Sequence, residues 1–168
     1  DSTSTKIDIA LVQHDLNPWD NSKYDASVRT LMNLTRQALA NGKLDLIVWS
    51  ETALRRPPVG DYAAVFENFP NGDPLGPFLR SLDVHLLTGA PAIVPTDRRG
   101  WSNAAFLLGP RGSWSEHYRK QQLVPFAERV PFYEIAFMRS FYQWAVGIGN
   151  GWAAGREATV FTVTTRGG

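Results

Sequence analysis

The sequence predicts a mixed α/β fold organised around parallel strands, and three observations predict it. Two short apolar runs, residues 7–13 and 44–49, flank a segment with helical spacing, the signature of a strand–helix–strand crossover. A later turn signal, Gly109-Pro110-Arg111-Gly112, separates two further strand-like runs and implies an antiparallel hairpin. The chain has 168 residues, of which 43% are hydrophobic, enough for one domain with a real core.

The elements follow in order. Residues 7–13 are apolar on most positions and are expected to form a well-buried first strand, broken by Asn17-Pro18. From about Tyr24 to Ala40, Val28, Leu31, Met32, Leu34, Ala38 and Leu39 recur at helical spacing, and Asn41-Gly42 supplies a stop. Residues 44–49 form an almost wholly apolar run that is left through Ser50-Glu51, and they predict a central strand. A loop rich in Pro and Gly follows, with brief helical character at 75–82. Strands are expected at 85–94 and 101–108, with 113–118 returning antiparallel. Residues 132–146 are apolar and aromatic nearly all round, 147–151 (Gly-Ile-Gly-Asn-Gly) read as a mobile loop, and 159–164 as a last short strand. No internal repeat or second domain boundary is visible.

Composition excludes several functions. The net charge of +1 offers no electrostatic footprint for nucleic acid. No apolar run approaches the ~18 residues that would cross a bilayer. Cysteine is absent, which removes a disulfide framework, a thiolate zinc site and a cysteine nucleophile from within this chain. His14, His85 and His117 are scattered without metal-ligand spacing, so no metal is expected. Ser50 lacks the glycine-flanked elbow of a hydrolase serine. The first five residues have no apolar segment and read as a linker, not a signal peptide.

Three charged residues can carry chemistry. Glu51 directly follows an apolar strand, where open α/β sheets place functional groups. Desolvated by Trp49 it would serve as a general base, and otherwise it is a carboxylate capping a turn. Lys120 follows the hairpin; it is either an oxyanion-stabilising point charge or a solvated surface lysine. Glu128 is either a second acid in that neighbourhood or a surface charge beside Arg129. The aromatic run from Phe132 to Trp144 suits a core helix and a lipid-facing surface equally.

The motifs that hold these residues resemble a known family. Ile9-Ala10-Leu11-Val12-Gln13 with Pro18-Trp19, Trp49-Ser50-Glu51-Thr52-Ala53, and Lys120-Gln121-Gln122-Leu123-Val124-Pro125-Phe126-Ala127-Glu128 are similar to those of apolipoprotein N-acyltransferases, members of the nitrilase, or carbon–nitrogen hydrolase, superfamily. Ser102-Asn103-Ala104 resembles a further family strand, with Trp101 in place of a tyrosine; Ser50 stands where the family most often has proline. The resemblance covers about Lys6 to Val163. It implies one partial nitrilase-like domain over 1–168, an α-β-β-α sandwich incomplete at its C-terminus with its last strand as an unpaired edge.

The resemblance also implies a Glu-Lys-Cys triad, with Glu51 as base, Lys120 as oxyanion stabiliser and Glu128 as a second essential acid. The cysteine is expected on a strand beyond 159–164. In the family it takes an acyl chain from a membrane phospholipid as a thioester and passes it to the α-amine of a lipid-modified N-terminal cysteine on an apolipoprotein. Phospholipid, apolipoprotein and a membrane surface are thus the implied partners, at the periplasmic side of a bacterial inner membrane, with no cofactor. Trp49, Phe126, Phe137 and Trp144 are the expected substrate-binding residues. A soluble amidase of the same superfamily, or an inactive domain that binds lipid or protein, are the other readings. The sequence does not give an oligomeric state.

Overall fold

A computed structural model describes residues 6–15, 23–58, 74–125, 127–129, 132, 135–146 and 151–165. The described residues form one five-stranded sheet in the order β1-β2-β3-β4-β5. The strands are β1 (Ile9–Val12), β2 (Leu46–Trp49), β3 (His85–Ile93), β4 (Trp101–Leu108) and β5 (Ser115–Arg119). β1, β2 and β3 run parallel, while β4 and β5 are antiparallel to their neighbours. The parallel β1–β2 pair follows from the crossover helix α1 (Tyr24–Ala40), and the two antiparallel pairs from the tight turns at 94–100, closed by Val94 N–H to Gly100 O, and at Pro110–Gly112. Arg111 and Gly112 both adopt positive φ there, at 59° and 64°.

Helices α1 and α2 (Leu75–Ser81) cover one face of the sheet. Ser27, Val28, Leu31, Met32 and Thr35 form the buried stripe of α1, at the spacing of one helix face. Val28, Leu31 and Met32 meet Ile47 and Trp49 of β2, Leu86, Ala90 and Ala92 of β3, and Ala104, Phe106 and Leu108 of β4 in one cluster, joined by Leu75, Phe78 and Leu79 of α2. This is one helix layer on one sheet, the α-β half of a sandwich. Strand side chains alternate, so Leu46, Val48, Leu87, Asn103, Ala105 and Tyr118 belong to the other face.

The structure corrects several expectations. β1 is an edge strand and not well buried: Leu11 is 80% exposed, because only Ala10 and Val12 face the helices. β2 is an interior strand as expected, paired with β1 on one side and β3 on the other. Residues 159–164 form no strand; the 151–165 segment joins the sheet by single bonds, such as Ala153 N–H to Trp101 O (2.7 Å), Gly155 N–H to Lys120 O (2.9 Å) and the Thr159 hydroxyl to His117 O (3.3 Å). These alternate with no ladder partner, so the segment is tethered without pairing. Among the described residues the aromatic run is helical over α3 (Ala136–Val146), which is not a core helix: Phe137 and Trp144 are 74% and 83% exposed. Most of the glycine-rich 147–151 stretch lies outside the described residues.

Candidate active site

Glu51 owes its position to the exit from β2. The strand ends at Trp49, and the chain turns back sharply through Thr52, whose φ is 60°. A β-branched residue rarely takes that left-handed conformation, so the turn is held by its surroundings. Leu54 N–H bonds Gly89 O of β3 at 3.0 Å, and Ala53 N–H bonds Ser50 O at 3.3 Å. Gly89 makes the approach possible, since a Cβ there would lie 2.7 Å from Thr52 N and 2.8 Å from Glu51 Cα. Beyond Leu87 β3 has no β2 partner, which leaves its edge free to receive this turn and to tolerate Pro91.

Lys120 directly follows β5 and is held by the main chain on both sides. Its N–H bonds Asn103 O of β4 at 2.8 Å, and its carbonyl accepts Gly155 N–H at 2.9 Å. Glu128 sits on a tight turn in which Val124 O accepts the N–H groups of Glu128 (2.8 Å) and Arg129 (3.1 Å). The turn is tied back by Trp152 N–H to Glu128 O at 2.8 Å. The Glu128 carboxylate closes it further by accepting Val124 N–H at Oε2, 2.9 Å.

These elements bring the three charged side chains together. Lys120 Nζ lies 3.2 Å from Glu51 Oε1 and 3.0 Å from each carboxylate oxygen of Glu128. Asn103, which sequence reasoning quoted but gave no role, donates from Nδ2 to Glu51 Oε1 (2.8 Å) and to Glu128 Oε1 (3.0 Å). A signal existed: Asn103 is the only amide on a strand that is apolar apart from Ser102 beside it. Only the fold shows that it points between two distant glutamates.

The electrostatics follow from these contacts. The bond to Glu128, with the second contact to Glu51, raises the Lys120 pKa above its ordinary value despite some desolvation, so the ammonium stays charged. Burial opposes ionisation of Glu128, but the Val124 N–H, Lys120 and Asn103 outweigh it and hold its carboxyl below the ordinary range. Glu51 is the open member, its side chain 63% exposed against 15% for Glu128.

Beside the cluster is a cavity of about 240 Å³ lined by Glu51, Leu87, Gly89, Ala105, Tyr118 and Lys120, among others. Trp49 also borders it, but the indole does not desolvate Glu51 as expected. Its Nε1–H donates to the buried Thr35 hydroxyl at 2.9 Å and its ring stacks on Phe78, 5.9 Å between centroids, inside the helix-facing core. Trp49 ends β2 with its side chain on the helix-facing side, and it is the turn at 50–52, which breaks the strand's alternation, that carries Glu51 to the other face. Phe126 lies outside the described residues, and Phe137 and Trp144 line none of this cavity. Among the described residues no group of three or more His, Cys, Asp or Glu could hold a metal ion.

Comparison with known proteins places this geometry in a family. No family model matches the chain. It is 38% identical to apolipoprotein N-acyltransferase 2 of Treponema denticola over 162 residues, covering 95% of this chain and 30% of that protein. It is 35% identical to apolipoprotein N-acyltransferase of Chlorobaculum tepidum, covering 100% of this chain and 34% of that protein. The chain thus spans about a third of the length of these relatives. Among solved structures it superposes on Saccharomyces cerevisiae Nit3, a member of branch 10 of the nitrilase superfamily, with a TM-score of 0.57 at 16% identity, covering 95% of this chain and 52% of that one. A glutamine-dependent NAD+ synthetase from Acinetobacter baumannii gives 0.50 at 18% identity over 92% of this chain and 25% of that one. Over the length it shares with these relatives, the chain belongs to the apolipoprotein N-acyltransferase family and has the fold of the nitrilase superfamily.

Proposed function

We propose that this chain supplies the base, the oxyanion-stabilising cation and a supporting acid of an apolipoprotein N-acyltransferase. The observation that carries the reading is the convergence of Glu51 and Glu128 on one lysine ammonium, at 3.2 and 3.0 Å. The chain has no cysteine, so the attacking thiol comes from outside these 168 residues. Glu51 takes the thiol proton. The thiolate adds to an ester carbonyl of a phospholipid, and Lys120 neutralises the oxyanion that forms. Collapse expels the lysophospholipid alkoxide, which recovers the proton from Glu51 and leaves a thioester. The α-amine of the lipid-modified apolipoprotein then attacks the thioester, and its surplus proton passes through Glu51 to the departing thiolate.

Glu128 supports this cycle by keeping Lys120 charged and in place. The exposed aromatic side chains of α3 suit a membrane surface, which supports a site at the periplasmic face of the inner membrane. No described helix is itself long and apolar enough to cross a membrane.

The test is acyl-enzyme formation by the protein at its full natural length, supplied with phospholipid. Lys120→Ala is expected to slow it by about 10²–10³-fold with the fold intact; near-normal accumulation would overturn the oxyanion role. The compact size of the cavity favours one second reading, an amidase acting on a small amide. Its apolar lining by Leu87, Ala105 and Tyr118 speaks for an acyl chain instead. Turnover of short amides without phospholipid-dependent acylation would decide for the amidase.

A further inference from the structure

We infer that Asn103 is a positioning residue that commits Glu51 to accept its proton at Oε2. The inference rests on the proposed base role of Glu51 and names how that base is oriented.

A primary amide nitrogen has two hydrogens to donate, and both are used here. Nδ2 meets Glu51 Oε1 at 2.8 Å and Glu128 Oε1 at 3.0 Å. The chemistry fixes the orientation of the amide, because the opposite flip would set its oxygen against two acceptors. Lys120 Nζ approaches the same Glu51 oxygen at 3.2 Å. Glu51 Oε1 therefore accepts two hydrogen bonds, one of them charge-assisted, whereas Oε2 accepts none from the described residues. A proton arriving at Oε1 would have to displace a donor; at Oε2 it displaces none. Without Asn103, rotation of the Glu51 carboxylate would exchange the two oxygens at the cost of one contact only.

The same residue sets the lysine. Asn103 O accepts the Lys120 N–H at 2.8 Å, so one position on β4 registers the base through its side chain and the cation through its main chain. It also joins two carboxylates whose mutual repulsion would otherwise push the exposed one, Glu51, toward solvent. Lys120 acts as a point charge and by itself does not orient a carboxylate plane; a planar amide with both hydrogens engaged does.

The test combines two measurements on the protein at its full natural length. Carbon-13 NMR of glutamate-labelled protein follows the Glu51 and Glu128 carboxyl resonances through a pH titration, and acyl-transfer kinetics are measured alongside. Asn103→Leu, close in volume, is expected to shift both resonances and raise the Glu128 midpoint, since one of its donors is lost. The same variant is expected to lower kcat roughly ten- to hundredfold, the range for a hydrogen bond to a charged group, with KM for the phospholipid within about twofold. Asn103→Asp, nearly isosteric, serves if the leucine variant fails to fold; by setting a third carboxylate against the pair it is expected to lower kcat further. Unmoved carboxyl resonances, or a kcat within about twofold of the wild type, would overturn the inference. If the wild type transfers no acyl group, the titration still decides the role of Asn103, and the proposed function alone fails.

Discussion

Gly89→Ala is expected to disable the site from a residue that need not touch substrate. The new Cβ would lie 2.7 Å from Thr52 N, 2.8 Å from Glu51 Cα and 3.0 Å from Glu51 C. All three are backbone atoms, so no side-chain rotation relieves the contact. Ordinary contact begins at 3.4 Å, so the turn that carries Glu51 must retreat by about 0.7 Å. A retreat of that size directly away from both donors would stretch the Asn103–Glu51 bond from 2.8 Å to about 3.5 Å and the Lys120–Glu51 contact from 3.2 Å to about 3.9 Å, past hydrogen-bonding range. Overpacking of this kind costs ~1–3 kcal/mol of stability. A displacement approaching 1 Å of a reacting group costs about 10²-fold in rate. Urea unfolding reads the first and the rate of acyl-enzyme formation the second. Gly42→Ala is the control, since nothing lies within 4 Å of a Cβ placed there. A Gly89→Ala protein as stable and as fast as the Gly42→Ala protein would refute the reasoning.

Other outcomes can be read from the same geometry. Lys120→Ala should slow acyl-enzyme formation by about 10²–10³-fold, as loss of one oxyanion donor does elsewhere, while circular dichroism stays unchanged. Glu128 has a depressed folded pKa, so its stabilising contribution is present above the ordinary value of 4.5 and lost as pH falls through the folded midpoint. The melting temperature of Glu128→Gln should accordingly fall less steeply on acidification than that of the wild type; parallel curves would contradict this. Trp49→Phe removes the indole donor to the buried Thr35 hydroxyl and should cost about 1 kcal/mol in chemical denaturation, with acylation little changed. Replacing Phe137 and Trp144 together by serine should weaken sedimentation with phospholipid vesicles at constant melting temperature, because both side chains are exposed.

Local pattern carried much of the fold. The helical spacing of Val28, Leu31 and Met32 defines α1 with its observed ends, and the apolar run before Ser50-Glu51 defines β2, because burial on one side imposes the period of the element on the sequence. Residues 159–164 show where this ends. Their alternation suits a strand, but a strand exists only when a neighbour offers a ladder, and the segment receives single tethers instead. The depth of β1 was equally illegible, since its place at the sheet edge is set by the order of pairing and not by its own residues. The separation of Trp49 from Glu51 is illegible for a related reason: strand alternation would set residues 49 and 51 on one face, and only the turn after Trp49, with Thr52 at a φ of 60°, parts them.

For the site, the sequence by itself determined the chemistry: two carboxylates and one lysine within motifs that resemble a family, and no thiol among the 168 residues. The tertiary structure decided the arrangement. It alone brings Glu51 and Glu128, far apart in the chain, to one ammonium, turns Glu51 outward over Gly89, and sets Asn103 between the two acids. Side-chain type is fixed residue by residue, whereas distance between residues on different elements depends on strand register and on where a backbone can approach without a Cβ. That closeness is a property of packing, and it is what allows three ordinary surface-type residues to act as one charged unit.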